Sequence, residues 1–260
     1  MKRIELKKGI MDVYDFGGIK LHAYKTNDFI DNEVFLIEKN GRLVVIESPC
    51  FFDNNIELEN YIKELNAVVD GVLLAYHMAG ATFLKNAKKY ATKNADEYGH
   101  NGGGKGLIDK FTGAFGEIFD SSIHTVTDYI SEGSIEIAGI KMNIIPTNEA
   151  FDIEIPEINV MYTHMLGEDC HSIVAGHDHA NAIINVLKGY KEKGYKYILT
   201  SHYTPEELKA VDTKIAYIED LKNIASQSGN MQDFKDKVKL KYTNYSGENY
   251  LDITAGIFFN

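Results

Sequence analysis

The segment EVFLIEKNGRLVVIESP, Glu33 to Pro49, constrains this chain more than any other stretch. Two β-rich runs flank Asn40-Gly41, the pair a two-residue type I′ turn prefers because both of its central positions need positive φ. The second run, LVVIE, is apolar almost throughout, the composition of a strand covered on both faces rather than one. The spacing therefore predicts an antiparallel hairpin buried inside a layered molecule. NIELENYIKELN follows, with Ile56, Leu58, Tyr61, Ile62 and Leu65 near helical spacing. VVDGVLLAY reads as a buried strand, ATFLKNAKKYATK as a helix and ADEYG as a short strand. The order β-β-α-β-α-β indicates a layered α/β fold.

The flanking segments extend that pattern. Residues 1 to 50 read as strands, as do IHTVTDYI, SIEIAGIKMNIIPT and FDIEIPEINVMYT. A helix (HANAIINVLKGYKEKG), a strand (YKYILTS) and a second helix (PEELKAVDTKIAYIEDLKNIAS) come next. GHNGGGKGLIDKFTGAFGE holds seven glycines and is expected to be an exposed loop with a helical turn. A phosphate-cradling loop is the functional alternative, and the less favoured one, since no strand leads directly into it and no Gly-Lys-Ser/Thr closes it. Without a repeat, low-complexity tract or linker, residues 1–260 are expected to form a single domain with an appendage at about 228–260, including a short helix at MQDFKDKV. The apolar tail YTNYSGENYLDITAGIFFN suits docking on the body or on a second subunit, which leaves a homo-oligomer open.

Charge narrows the partners. A net charge of −11 argues against nucleic acid, whose binding relies on excess lysine and arginine, and against anionic membrane surfaces. A small-molecule substrate or ligand is the expected partner. No apolar run approaches the roughly 20 residues of a spanning helix, and the first residues have no signal-like apolar core. Cys50 and Cys170 supply neither a disulfide framework nor a Cys-x-x-Cys knuckle. A cytoplasmic location is the expectation.

Chemistry concentrates in VLLAYHMAGATF, Val72 to Phe83, where an apolar run ends in Tyr76-His77. Four segments together resemble the metallo-β-lactamase superfamily, over about residues 30 to 210. VFLIEKNGRLVVIESP looks like that family's opening hairpin, and VDGVLLAYHMAGATFLKNAKKY like the strand and helix around H-x-H-x-D-H. GIKMNIIPTNEAFDIEIPEINVMYTHMLG is similar to the segments carrying a histidine after a proline and a Gly-Asp. GYKEKGYKYILTSHYTP looks like the part ending in Pro-Gly-His. The resemblance implies an α/β four-layer αββα sandwich with a metal site at one open edge of the sheets. It also implies a degenerate site. His77 matches the first histidine of the motif, or the second if the register slips by two, while Ala79, Ala81 and Thr82 stand at other ligand positions. Asn148 falls at the next histidine with Glu149 beside it, His164 replaces the bridging aspartate and His202 matches the final histidine.

Two dications a few ångströms apart need anions between them, so this residue set does not suit a two-zinc site. Three neutral imidazoles, His77, His164 and His202, suit one Zn²⁺ with a position open for water. Glu149 is the candidate catalytic base or additional ligand, and Asp178 a further candidate. Two functions of different class follow. The first is an atypical one-metal hydrolase of an ester, amide or phosphoester. The second is a metal-free binding module whose cleft is lined by Tyr76, Asn148, Glu149 and His202. In CHSIVAGHDHANA, His171, His177, Asp178 and His179 form a second cluster; if His177 to His179 is extended, both imidazoles share one side at a spacing that can hold a metal, but the favoured reading has Asp178 cap the following helix or lie just before its cap. Ser201-His202 are neighbours on a strand, facing opposite ways, and cannot make a nucleophile-base pair there. Glu47 is expected to accept buried hydrogen bonds.

Overall fold

The computed structural model describes residues 1–164 and 166–259, and these divide into two compact units. The first comprises Met1–Met165 with Ile198–Pro205, the second Leu166–Tyr197 with Glu206–Asn260. The last residue of the apolar tail, Asn260, lies outside the described residues.

The first unit is built on two sheets. Strands β1 (Lys2–Glu5), β2 (Ile10–Asp15), β3 (Ile19–Lys25), β4 (Glu33–Lys39) and β5 (Arg42–Ile46) form an antiparallel meander. The predicted hairpin is present, with Asn40 at φ 53° and Gly41 at φ 73°. After helix α1 (Phe52–Leu65), the chain adds parallel strands β6 (Val68–Leu73), β7 (Lys89–Ala91) and β8 (Asp128–Tyr129). Between β7 and β8 stand helices α2 (Lys93–His100) and α3 (Gly103–Phe115). The second sheet takes β9 (Gly133–Ile137), β10 (Ile140–Pro146), β11 (Phe151–Ile155), β12 (Val160–Thr163), β13 (Tyr197–Thr200) and β14 (Tyr203–Glu206), in the order β14-β13-β12-β11-β10-β9.

Alternation along the strands explains the layering. Phe35 pairs with Ala23 and His22 with Leu36, so the Phe35 and His22 side chains leave opposite faces of the first sheet. Phe35 meets Tyr162 of β12 at 6.0 Å between ring centroids, and both are fully buried, so this face packs on the second sheet. The opposite face carries α1: Tyr61 bonds His22 Nδ1 at 2.8 Å, and Tyr24 donates to Glu57 at 2.8 Å. Helix, sheet and sheet thus stack in order within this unit.

The second unit is helical: α4 (Gly176–Lys193), α5 (Leu208–Ser226), α6 (Met231–Lys241) and α7 (Glu248–Phe259). Tyr217, Tyr242 and Tyr245 pack against one another there, and His171 Nδ1 lies 2.9 Å from the Tyr217 hydroxyl. The tail is the last helix, tied down where Thr254 accepts from the Val174 N–H and donates to Ser172 O, each at 2.8 Å. Among the described residues no helix is long and apolar enough to cross a membrane.

Several local expectations are corrected. Residues 81–88 are successive turns rather than a helix, with Leu84 at φ 44° and its N–H taken by the Glu59 carboxylate at 2.8 Å. ADEYG is helix α2, capped by the Thr92 hydroxyl on the Ala95 N–H, not a strand. The glycine-rich segment is mostly α3; a Cβ at Gly102, Gly103 or Gly104 would come within 2.9–3.0 Å of Tyr98, so the glycines let this turn close over that residue. Only two residues of IHTVTDYI join the sheet. Helix α4 begins at Gly176, so Asp178 lies in its first turn and does not cap it; His179 Nδ1 instead accepts from the Ala175 N–H at 2.9 Å.

Candidate metal centre

The sheets deliver three imidazoles to one place. His77 follows the end of β6 in the first sheet, His164 follows β12 and His202 stands between β13 and β14 in the second. The two segments of the second sheet are tied by the Ser201 N–H donating to His164 O at 3.0 Å. The Glu33 N–H donates to Ser201 O at 2.7 Å, which ties β4 to the same turn. Ring centroids are 5.4 Å apart for His77–His164, 5.2 Å for His77–His202 and 5.5 Å for His164–His202. One nitrogen of each ring lies within 4.8 Å of the others, and no further Cys, Asp or Glu joins that group among the described residues.

The electrostatics match a ligand set. Burial and the neighbouring imidazoles push His77 well below the ordinary histidine range and His164 down to about 3. Burial lowers His202 as well. All three rings are therefore neutral near pH 7 and offer lone pairs. His202 Nδ1 lies 3.0 Å from Ile30 O, which fixes the proton on Nδ1 and leaves Nε2 as the acceptor nitrogen. His164 Nε2 is buried and has no hydrogen-bond partner. Imidazoles sharing one tetrahedral zinc stand about 5 Å apart between centroids, given a Zn–N distance of roughly 2.0–2.1 Å. The observed spacings fit that, and the residues present fit a single metal ion.

Glu47 supports the site from below. It has no exposed surface, and its carboxylate accepts the N–H of Tyr76 at 2.8 Å, the N–H of His77 at 3.0 Å and the hydroxyl of Tyr162 at 2.5 Å. Its Oε2 lies 4.0 Å from His77 Nδ1. Burial lifts this carboxyl to about 7, against the opposing pull of those hydrogen bonds. Tyr162 also shares a 2.8 Å hydrogen bond with the Ser201 hydroxyl. Tyr162, the penultimate residue of β12, has no signal of its own in the sequence that marks it for the site. Asp152, which accepts from the Tyr76 hydroxyl at 2.7 Å, had no sequence signal of its own.

Ala79, Ala81 and Thr82, which the resemblance sets at ligand positions, are engaged in other contacts. Ala79 bridges Ile123, the Ala81 N–H donates to Ser122 O at 3.2 Å, and Thr82 donates through N–H and hydroxyl to the Asp120 carboxylate at 3.0 and 2.5 Å. The segment around Asp120 thus uses backbone and side-chain groups where the motif would present ligands. His124, close by, is buried and held near about 3 by desolvation, with Nε2 3.1 Å from the Ser48 hydroxyl. Gly80, at φ 90° within this loop, approaches so closely that a Cβ would sit 2.0 Å from Pro49 O. Gly80→Ala will therefore lower stability by about 2 kcal/mol or more, read as a lower denaturant midpoint.

Glu149 and Asn148 are exposed on the bend between β10 and β11, outside the imidazole group, where the Glu149 charge acts on Tyr98. His177 and His179 are exposed in the first turn of α4, and His171 is buried in the second unit.

No protein-family model matches the sequence, and no curated protein matches it. Solved structures match by shape. A metallo-β-lactamase from Erythrobacter litoralis is similar at TM-score 0.60 and 13% identity, covering 84% of this chain and 100% of its own. One from Pontibacter korlensis gives 0.55 and 14%, covering 81% and 99%. The stereoselective inverting sec-alkylsulfatase of a Pseudomonas species gives 0.64 and 12%, covering 96% of this chain and 50% of its own. The expected α/β architecture with two sheets and helices is thus the one found, and the chain has the fold of the metallo-β-lactamases.

Proposed function

We propose that the protein is metallohydrolase-like and holds one metal ion through His77, His164 and His202, acting on an ester, amide or phosphoester. The observation that carries this reading is the meeting of three neutral imidazoles, one with a buried and unpartnered nitrogen. A zinc ion held by three imidazoles lowers the pKa of a water in its open position toward about 7 and polarises a carbonyl or phosphoryl oxygen. The chain's own part is orientation. Ile30 O sets the His202 tautomer, and Glu47 holds the backbone of His77. With no carboxylate in the group, a bridged pair of metals has no support among the described residues.

An apolar flank favours a substrate with an apolar portion. Phe29, 70% exposed, precedes Ile30 and stacks on Phe115 at 5.3 Å and 23°. Phe29→Ala will raise KM for aryl esters several-fold with little change in kcat, since the contact binds ground and transition states alike. Glu149, exposed on the β10–β11 bend outside the imidazole group, is the sequence's candidate for the base. Glu149→Gln lowering kcat by about 100-fold would support that role, and unchanged turnover would remove it.

The deciding experiment is elemental analysis of untagged protein beside a panel of generic esters and phosphoesters. Stoichiometric zinc, iron or manganese is expected in the wild type and lost in His202→Ala together with turnover. Protein without metal, and without uptake when metal is added, would leave the second reading, a metal-free binding module. The contacts of Thr82 to Asp120 are what favour that alternative.

A further inference from the structure

We propose that Tyr76 is a positioning residue for His164, lying flat on the imidazole to keep its nitrogen within reach of the other two rings, with Asp152 holding Tyr76 in place. The proposal rests on the one-metal reading above.

His164 stands just beyond β12, where its carbonyl accepts from the Ser201 N–H at 3.0 Å; that bond holds the backbone and leaves the rotation of the ring to its packing neighbours. His77 and His202 meet it at interplanar angles of 77° and 61°. Tyr76 alone among the described aromatic rings lies parallel to it, at 4.6 Å between centroids and 10° between planes. Tyr76 is in turn held at both ends. Its N–H donates to Glu47 Oε1 at 2.8 Å, and its hydroxyl donates to Asp152 Oδ1 at 2.7 Å, across from the first sheet to β11 of the second. A side chain anchored at backbone and tip presents a fixed face, and a ring stacked on that face loses the rotation that would carry its nitrogen away.

The stack also distinguishes the loaded site from the empty one. An imidazole bound to a cation carries part of its charge, and the electron-rich face of an aromatic ring attracts positive charge. A phenol donating its proton to a carboxylate has a more electron-rich ring than a free phenol. The Tyr76–Asp152 pair therefore favours His164 as a ligand more than His164 as an unbound base. Groups that orient ligands in this way typically contribute about 10- to 100-fold to metal affinity.

The test is titration of metal-free protein with Co²⁺, reading both affinity by chelator competition and the visible d–d bands, whose position and intensity report ligand geometry. Tyr76→Leu is expected to bind about 10- to 100-fold more weakly, with displaced bands. Tyr76→Phe keeps the ring and is expected to recover most of that affinity, while Asp152→Asn lies between it and wild type. Wild-type affinity and bands in Tyr76→Leu would overturn the positioning role and leave the metal reading standing. Should Tyr76→Leu not fold, wild-type affinity and bands in Tyr76→Met, which fills the space without a ring, would overturn it equally. A wild type that takes up no Co²⁺ would defeat the metal reading and the positioning role together.

Discussion

Replacing Glu47 with alanine will lower the melting temperature by on the order of 10 °C and, on the one-metal reading, abolish metal uptake. The carboxylate is fully buried and accepts two backbone N–H groups and a tyrosine hydroxyl. Alanine leaves the N–H groups of Tyr76 and His77 without their acceptor, and each orphaned donor costs about 1–3 kcal/mol. The lost volume adds a cavity contribution. A total of about 4 kcal/mol corresponds to a shift of roughly 10 °C for a chain of this size. On that reading uptake fails for the same reason, since the two released N–H groups belong to His77 and to the residue stacked on His164. Glu47→Gln will fall between, because an amide oxygen can accept while the NH₂ faces donors that need acceptors. Calorimetry with metal analysis on both variants checks this; a Glu47→Ala protein with wild-type melting would contradict it.

Glu33→Gln is expected to act in the opposite direction and to do so in a pH-dependent way. Glu33 opens β4 with 1% exposure, its Oε1 has no hydrogen-bond partner, and burial raises its carboxyl from 4.5 to about 8. The folded protein therefore keeps a proton that the unfolded chain releases above pH 4.5. In that window the unfolded state binds fewer protons, so stability falls as pH rises, until the folded carboxyl also ionises near 8. Between pH 4.5 and 7 the wild type loses on the order of 3 kcal/mol from this group, at about 1.4 kcal/mol per unit. Glutamine cannot ionise, so the variant will be the more stable at pH 7 and above, and its advantage will vanish near pH 4.5. Urea midpoints measured from pH 4.5 to 8.5 give the comparison. Parallel curves for the two proteins would show that Glu33 is ionised in the fold.

How far the molecule can be read from its residues varies with the range of the forces involved. The Asn40-Gly41 turn is legible because the positive φ at both positions is a local steric requirement. Helices α1, α4 and α5 are legible because each buries one face at 3.6-residue spacing. ATFLKNAKKYATK has helical composition, yet its N–H and C=O groups are claimed by distant partners, the Glu59 carboxylate among them. ADEYG and the glycine-rich segment mislead in the other direction, because the Thr92 cap and close packing on Tyr98 favour helix against weak local propensity.

The candidate site divides along the same line. His77, His164 and His202 could be named from the sequence because each stands where a strand ends, in segments that resemble a known pattern. Sequence order also settles that those positions hold imidazole, with alanine and threonine in place of other ligands. What only the tertiary structure decided is that rings 87 and 38 positions apart in the chain stand 5.2–5.5 Å from one another, with Glu47, Tyr162, Tyr76, Asp152 and Ile30 O as their supports. The physical reason is that hydrogen bonds and ring contacts depend on separation in space. Strand pairing and sheet packing set that separation through contributions summed over the whole core, which no short window of residues contains.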